Sequence, residues 1–329
     1  MADFSHTTRR DWLKTTLAAS LASGLAAVPA WAQSDKPVRI ILPNATGSGV
    51  DAITRSVQPA LAKALGQTIV VDNQPGAGGI VGLQALARSA PDGLTLGVVS
   101  NNVVIFPSVM KSIPFDMPGD FTPIAVVGYT PVVLVVNAKV PAGNARELIA
   151  LLKARGGALN YGSGGNGTIL HLAAEMFLDE AQVKAHHIPY KGVGPMVTDL
   201  IGGQIDFATV ALPSVQQHLA SGALKAIGIA TAQRVAAAPT IPSFVEQGLP
   251  GYVVEAWFAV IGPKGLAPTE VQRIHAAATQ AFNDPAVKEV MARQGNVIHV
   301  GAVDKAMPFF RSEMARYAQL VKKAGVEVQ

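Results

Sequence analysis

The 329-residue chain contains no cysteine. That absence removes disulfides, thiolate metal sites and a cysteine nucleophile at once. Charged residues are sparse, at 15%, and the formal net charge of +4 is dispersed with no block of lysine and arginine, which argues against nucleic acid as a partner. None of the seven histidines stands three or four residues from another, the spacing by which helical histidines hold a metal. There is no G-x-x-x-x-G-K-[ST] pattern, so a phosphate-loop enzyme is disfavoured. No segment is apolar over the roughly 20 residues that a spanning helix needs, and no short repeat is present.

The N-terminus carries an ordered set of export features. Arg9, Arg10, Asp11, Trp12, Leu13 and Lys14 form a pattern similar to a twin-arginine signal. Residues 17–28 supply a short apolar core, and Ala30 and Ala32 suit cleavage before Gln33. Residues 1–32 are therefore expected to be a signal peptide. Its removal takes one unit from the +4 of the whole chain, and the remainder stays mildly basic.

Beyond it, short β-branched runs alternate with amphipathic helical patterns. Strands are predicted at 38–42, 68–72 and 94–99, with helices over 50–65 and 80–88 and glycine-bearing loops at 43–49 and 73–79. Further strands are predicted at 131–137, 159–161, 186–190, 205–209, 224–230 and 257–262. Helices are predicted over 144–155, 169–180, 194–201, 214–221, 269–283, 285–294 and 303–323. This rhythm predicts an α/β fold with a doubly wound parallel sheet and ligand loops at the carboxyl ends of strands. The length suits two domains. The apolar strands near 131–137 and 257–262 read as crossovers between them, which makes the first domain discontinuous.

The stretch 161–168 (YGSGGNGT) runs directly into the helical pattern 169–178. Small residues ahead of a helix leave its first N–H groups uncovered, and these amides with the helix dipole form a site for an anion. No lysine or arginine lies between Gly156 and Val183, so an anion there would be held by neutral donors. Reversible capture of a carboxylate by amides and hydroxyls suits a receptor better than a catalyst. Thr46, Gly47, Ser48, Gly49, Val50 and Asp51 form a counterpart loop ahead of the first helix, where Ser48 or Asp51 could equally be a plain cap.

Other motifs weigh less. In 76–82 (GAGGIVG), Val81 stands where a dinucleotide fingerprint needs its third glycine, so a tight turn at a helix start is preferred. Ser163 lacks the first glycine of a nucleophile elbow, Tyr161 standing in its place, and no acid is placed to orient His171. His186 and His187, adjacent on a strand, face opposite sides, one at the core edge and one solvated. Trp257 and Phe106 could be core or could wall a cleft.

The order of these motifs resembles the Bug-type extracytoplasmic solute receptors of tripartite tricarboxylate transporters. The residues that carry the resemblance are 71–79 (VDNQPGAGG), 90–96 (APDGLTL), 120–123 (DFTP), 159–168 (LNYGSGGNGT) with His171, 188–192 (IPYKG) and 199–206 (DLIGGQID). Leu212, Pro213 and Ser214, then 239–242 (PTIP), Gly251, Tyr252, Trp257 and Phe258 complete the set. The resemblance implies a two-lobed periplasmic-binding-protein fold of the Venus flytrap type, each lobe a sheet flanked by helices. It implies closure on a small mono- or dicarboxylate without cofactor, metal or chemistry, and a periplasmic location. Two departures fall in the implied pocket. The first loop has Ser48 where the family's usual G-G-x-x-D has its second glycine, and Thr209 stands where an acid or amide is frequent. Loss of that acid argues against an amino acid and favours an aliphatic or aromatic dicarboxylate.

The expectation is therefore a monomeric receptor, with one lobe at 34–133 plus 260–329 and the other at 134–259. Thr46, Gly47, Ser48, Gly49, Ser163, Gly164, Asn166, Gly167 and Thr168 are expected to hold the ligand's carboxylates. Asn101, His171 and Thr209 are secondary ligand residues. Membrane permease subunits are the implied partners, and delivery to a sensor kinase or a serine hydrolase built on Ser163 are the rival readings.

Overall fold

The computed structural model describes residues 36–323 and Val328; the expected signal peptide lies outside the described residues. The elements run β1 (Val38–Leu42), α1 (Gly49–Leu65), β2 (Ile69–Asn73), α2 (Ile80–Ala87), β3 (Thr95–Ser100), α3 (Asn102–Val109) and β4 (Phe121–Asn137). They continue with α4 (Ala145–Arg155), β5 (Asn160–Ser163), α5 (Ile169–Glu180), β6 (His186–Pro189), α6 (Val193–Gly202), β7 (Phe207–Ala211), α7 (Gln216–Ala220) and β8 (Leu224–Ile229). The last are β9 (Glu255–Pro263), α8 (Pro268–Phe282), α9 (Pro285–Arg293), β10 (Val297–Ile298) and α10 (Val303–Lys323).

Two sheet segments share the long strand β4. The first has the order β2-β1-β3-β9-β4, with β10 on the far side of β4. The second is built on the C-terminal part of β4, which pairs with β7 on one side and β8 on the other, and continues through β5 to β6. Alternation along the strands covers the first segment on both faces. Val38, Ile40 and Leu42 join one core with Ile53, Val57 and Leu61 of α1 and Phe282 of α8, whereas Ile41 joins the other core with Leu83, Phe106 and Phe310. The second segment packs Leu148, Phe177 and Met196 from α4, α5 and α6.

Parallel pairing holds within the strand–loop–helix halves, β1 with β2 and β3, and β5 with β6 and β7. The sheet as a whole is mixed, which corrects the expectation of a purely parallel one. β9 runs antiparallel to β3 and β4, and β4 antiparallel to β7. Periodicity marks a strand but carries no sign of its direction. The strand expected at 131–137 begins ten residues earlier, at Phe121. Pro123 and Gly128 mask that half as strand, and register shifts between Pro123 and Ala125 and between Val126 and Gly128 absorb them. Helix α3 is also absent from the sequence reading. It is buried nearly throughout, so it shows no polar face to betray a helical period.

Candidate functional site

Small residues open α1, and the structure shows which of its amides they leave available. Ser48 is the N-cap, its Oγ accepting from the Asp51 N–H at 3.2 Å. Asp51 in return accepts from the Gly47 N–H at 3.0 Å, a reciprocal cap. The other Asp51 oxygen accepts from Arg55 at 2.9 Å and from Asn73 at 3.0 Å, which locks the turn. The Gly47 amide is thus already occupied, and Thr46 is exposed away from the cavity described below. The next N–H groups, of Gly49 and Val50, have no hydrogen-bond partner among the described residues, and both residues line that cavity.

The second loop is organised differently. Ser163 is fully buried, its Oγ 2.7 Å from His187 Nε2 and within 3.2 Å of both the carbonyl and the amide of Gly165. His171 Nδ1 accepts from the Gly167 N–H at 3.1 Å, so the proton of the neutral ring sits on Nε2, facing Glu175 at 3.7 Å. His171 stacks on His187 with ring centres 4.0 Å apart, and Tyr161 stacks against both rings while its hydroxyl donates to Glu175. Burial pushes His187 down to about 4. Burial raises the Glu175 carboxyl, but hydrogen bonds from His171 and Tyr161 outweigh it and hold the group below its usual range. Ser163, Gly167 and His171 therefore form a scaffold behind the loop, and together with Asn166 they stand outside the cavity lining. Gly164 and Thr168 do line it. Thr168 is the N-cap of α5, with its Oγ1 donating to Gly165 and accepting from the His171 N–H.

The Ser163–His187 pair has the atoms of a nucleophile and base but no access to a substrate. His186 is exposed and His187 half-buried, as alternate strand positions require. Two secondary site residues have other partners. Asn101 accepts from the Trp257 N–H at 2.8 Å and donates to Glu255 O at 3.0 Å and to the Tyr317 hydroxyl, strapping α10 to β9. Thr209, fully buried, donates to the carbonyl of Leu170. Neither lines the cavity.

The cavity, of about 60 Å³, lies where the two sheet segments meet, and helices α1, α2, α3, α5 and α6 all begin at its wall, through Gly49, Gly79, Asn102, Ile169 and Val193. Their dipoles converge with the positive end inward. Among the described residues, Lys191 is the one charged side chain in the lining. Thr130 Oγ1 and Asn44 Oδ1 are buried there without a partner, the condition that a bound ligand or water relieves. Trp257 forms part of the wall, whereas Phe106 is fully buried in the core. The rim is tight. A Cβ on Gly192, whose φ is +122°, would meet the Ala45 Cβ at 2.5 Å, and one on Gly49 would meet that of Ala211 at 2.7 Å.

Sequence reasoning missed Asn44, Gly79, Asn102, Thr130, Lys191 and Val193. Lys191 and Gly192 carried a usable signal, because they precede a helix as the two chosen loops do. Asn102 was hidden by its neighbour, since only the phase of α3 decides which of two adjacent asparagines faces the cavity.

Comparison with known proteins agrees with this geometry. Residues 53–326 match the family model described as the tripartite tricarboxylate transporter family receptor. BugT of Bordetella pertussis is 35% identical over 296 residues, which cover 89% of this chain and 91% of that protein. The structure of the periplasmic binding protein BugD superposes with a TM-score of 0.85 at 29% identity, covering 89% of this chain and 99% of that one. Rpa4515 of R. palustris, solved with adipate, gives a TM-score of 0.85 at 26% identity over 88% of this chain and 97% of that one. The fold is the two-lobed α/β fold of periplasmic binding proteins. With a cavity of converging amides, and with Ser163 buried behind the wall, the chain belongs to the receptors of the tripartite tricarboxylate transporter family, periplasmic solute-binding proteins and not enzymes.

Proposed function

We propose that this receptor captures a small dicarboxylate in the cleft between residues 34–133 plus 260–329 and residues 134–259, and delivers it to membrane permease subunits. The observation that carries the reading is the convergence of helix N-termini on a cavity whose sole charged side chain among the described residues is Lys191. Positive helix ends and an ammonium favour an anion, and no carboxylate lines the wall to hold the ammonium of an amino acid. In this reading the N–H groups of Gly49, Val50 and Val193 and the hydroxyls of Ser48 and Thr130 hold carboxylate oxygens, with Thr168 and Gly164 on the opposite wall. A relative of the same fold bound to adipate supports the class. Strands β4 and β9 are the crossovers about which the lobes close, and the receptor works in the periplasm as a monomer after export.

Thermal unfolding against a panel of aliphatic dicarboxylates, tricarboxylates, aromatic carboxylates and amino acids tests this. A ligand at about 100 times its dissociation constant stabilises by about 2.7 kcal/mol, an easily read shift of the midpoint. The expected result is a shift with dicarboxylates and none with amino acids. A shift confined to amino acids overturns the reading.

A further inference from the structure

Asn102 joins parts of the molecule that the cleft separates. It follows β3 in the first sheet segment and is 8% exposed in the cavity wall. Its Oδ1 accepts from the N–H of Ile169, the first residue of α5 in the second segment, at 2.8 Å. Its Nδ2 donates to Gly78 O at 3.5 Å. An N–H facing one side-chain atom and a carbonyl facing the other settle the orientation of the amide. The same place is a tight seam between the lobes. A Cβ on Gly165 would meet the Gly78 Cα at 3.1 Å, and one on Gly78 would meet the Asn166 carbonyl oxygen at 3.3 Å.

We propose that Asn102 is the latch of the closed cleft and a specificity-determining residue, a neutral amide in the seat at the α5 N-terminus that a carboxylate would otherwise take. The inference rests on the carboxylate reading above and refines it. With the Ile169 N–H already paired, the ligand's charge is directed to the opposite wall, at the starts of α1 and α6 and near Lys191. Asparagine fits this position because the site asks for an acceptor and a donor together. Aspartate keeps the shape but loses the donor to Gly78, and it adds a negative charge of its own to a cavity that receives the ligand's carboxylates. A latch made of protein atoms alone stabilises closure by the same amount for every ligand, whereas a charge in its place discriminates among them.

The test is calorimetric titration of wild type, N102A and N102D with adipate and with its monomethyl ester, plus small-angle scattering of each protein with and without ligand. In N102A both ligands are expected to weaken by a similar factor of about tenfold, the scale of one lost hydrogen bond, with a larger radius of gyration at equal ligand. In N102D adipate is expected to weaken more than the ester, the gap narrowing as salt is added, while the unliganded unfolding midpoint does not fall. That salt-dependent gap is what a merely structural residue does not produce. Unchanged affinity in N102A, or equal loss of both ligands in N102D, overturns the assignment. Should the wild type bind neither compound, the failure is that of the carboxylate reading. The latch then stands or falls on scattering alone, where N102A must be more expanded than wild type and an identical profile overturns it.

Discussion

The loops that open α1 and α5 are nearly interchangeable as sequence and differ as structures. Both are runs of small residues without basic side chains, and both place a hydroxyl residue, Ser48 or Thr168, at the N-cap. At α1 the capping bonds join Gly47, Ser48 and Asp51, with Asn73 bracing Asp51 from the next strand, and the amides of Gly49 and Val50 stay open in the cavity wall. At α5 the loop leans on distant residues. His187 holds Ser163, Asn102 holds the Ile169 amide, and Thr209 holds the Leu170 carbonyl. A glycine-rich helix start therefore establishes a positive dipole end, while long-range partners determine which N–H groups stay open. One loop leaves amides open in the cavity wall, and the other is largely a supported wall.

The contrast can be broken most strongly at the first loop. Replacing Gly49 with valine drives a side chain into Ala211 across the cleft, where even a Cβ would lie 2.7 Å from its neighbour. Affinity for adipate is expected to fall by about 100-fold, on the scale of an overpacked contact, while the open protein still folds. Retained affinity in calorimetry would show that the cleft does not close on this residue.

The second loop is expected to answer to pH. His187 has its pKa lowered in the fold from 6.5 to about 4. The unfolded chain thus binds the extra proton first. Stability is complete above about 6.5 and is lost as the pH falls toward and through about 4, by on the order of 2 kcal/mol for a half-buried ring. Unfolding midpoints across this window, compared with those of His187→Gln, measure the effect. A wild type that falls no further than the variant contradicts it.

A smaller change sharpens the comparison within the same wall. Ser163→Ala removes the hydroxyl between His187 and Gly165 and is expected to cost about 1–2 kcal/mol of stability, with adipate affinity within about threefold of wild type. A large loss of affinity with stability intact would return Ser163 to the ligand. The smallest effect is expected at the cavity mouth. Lys191→Met should weaken adipate by about fivefold at low salt and less at high salt, because the ammonium is solvent-exposed. Titrations at two ionic strengths decide it.

Much of the fold was legible because it rests on local rules. The patterned residues of α1 and α8 and the short β-branched runs of β1 and β3 announce themselves locally, and α10 was placed at 303–323 as found. What escaped was hidden by chemistry that spacing does not register. Pro123 and Gly128 disguised the first half of β4, burial of most of α3 removed its polar face, and antiparallel pairing at β9 left no mark. Of the expected ligand residues, Ser48, Gly49, Gly164 and Thr168 line the cavity. Thr46, Gly47, Asn101, Ser163, Asn166, Gly167, His171 and Thr209 were chosen by residue type and loop membership, and the fold sets them outside the cavity wall.

By itself the sequence determined the family, the element order, and the use of neutral loops at helix starts, because each depends on residues near one another along the chain. Only the tertiary structure decided which donors face the cavity. Asn101 and Asn102 are chemically identical neighbours, yet one straps α10 to β9 while the other reaches across the cleft to α5. Consecutive residues at a helix start point in different directions, and the partner each one meets comes from a part of the chain that local sequence does not contain.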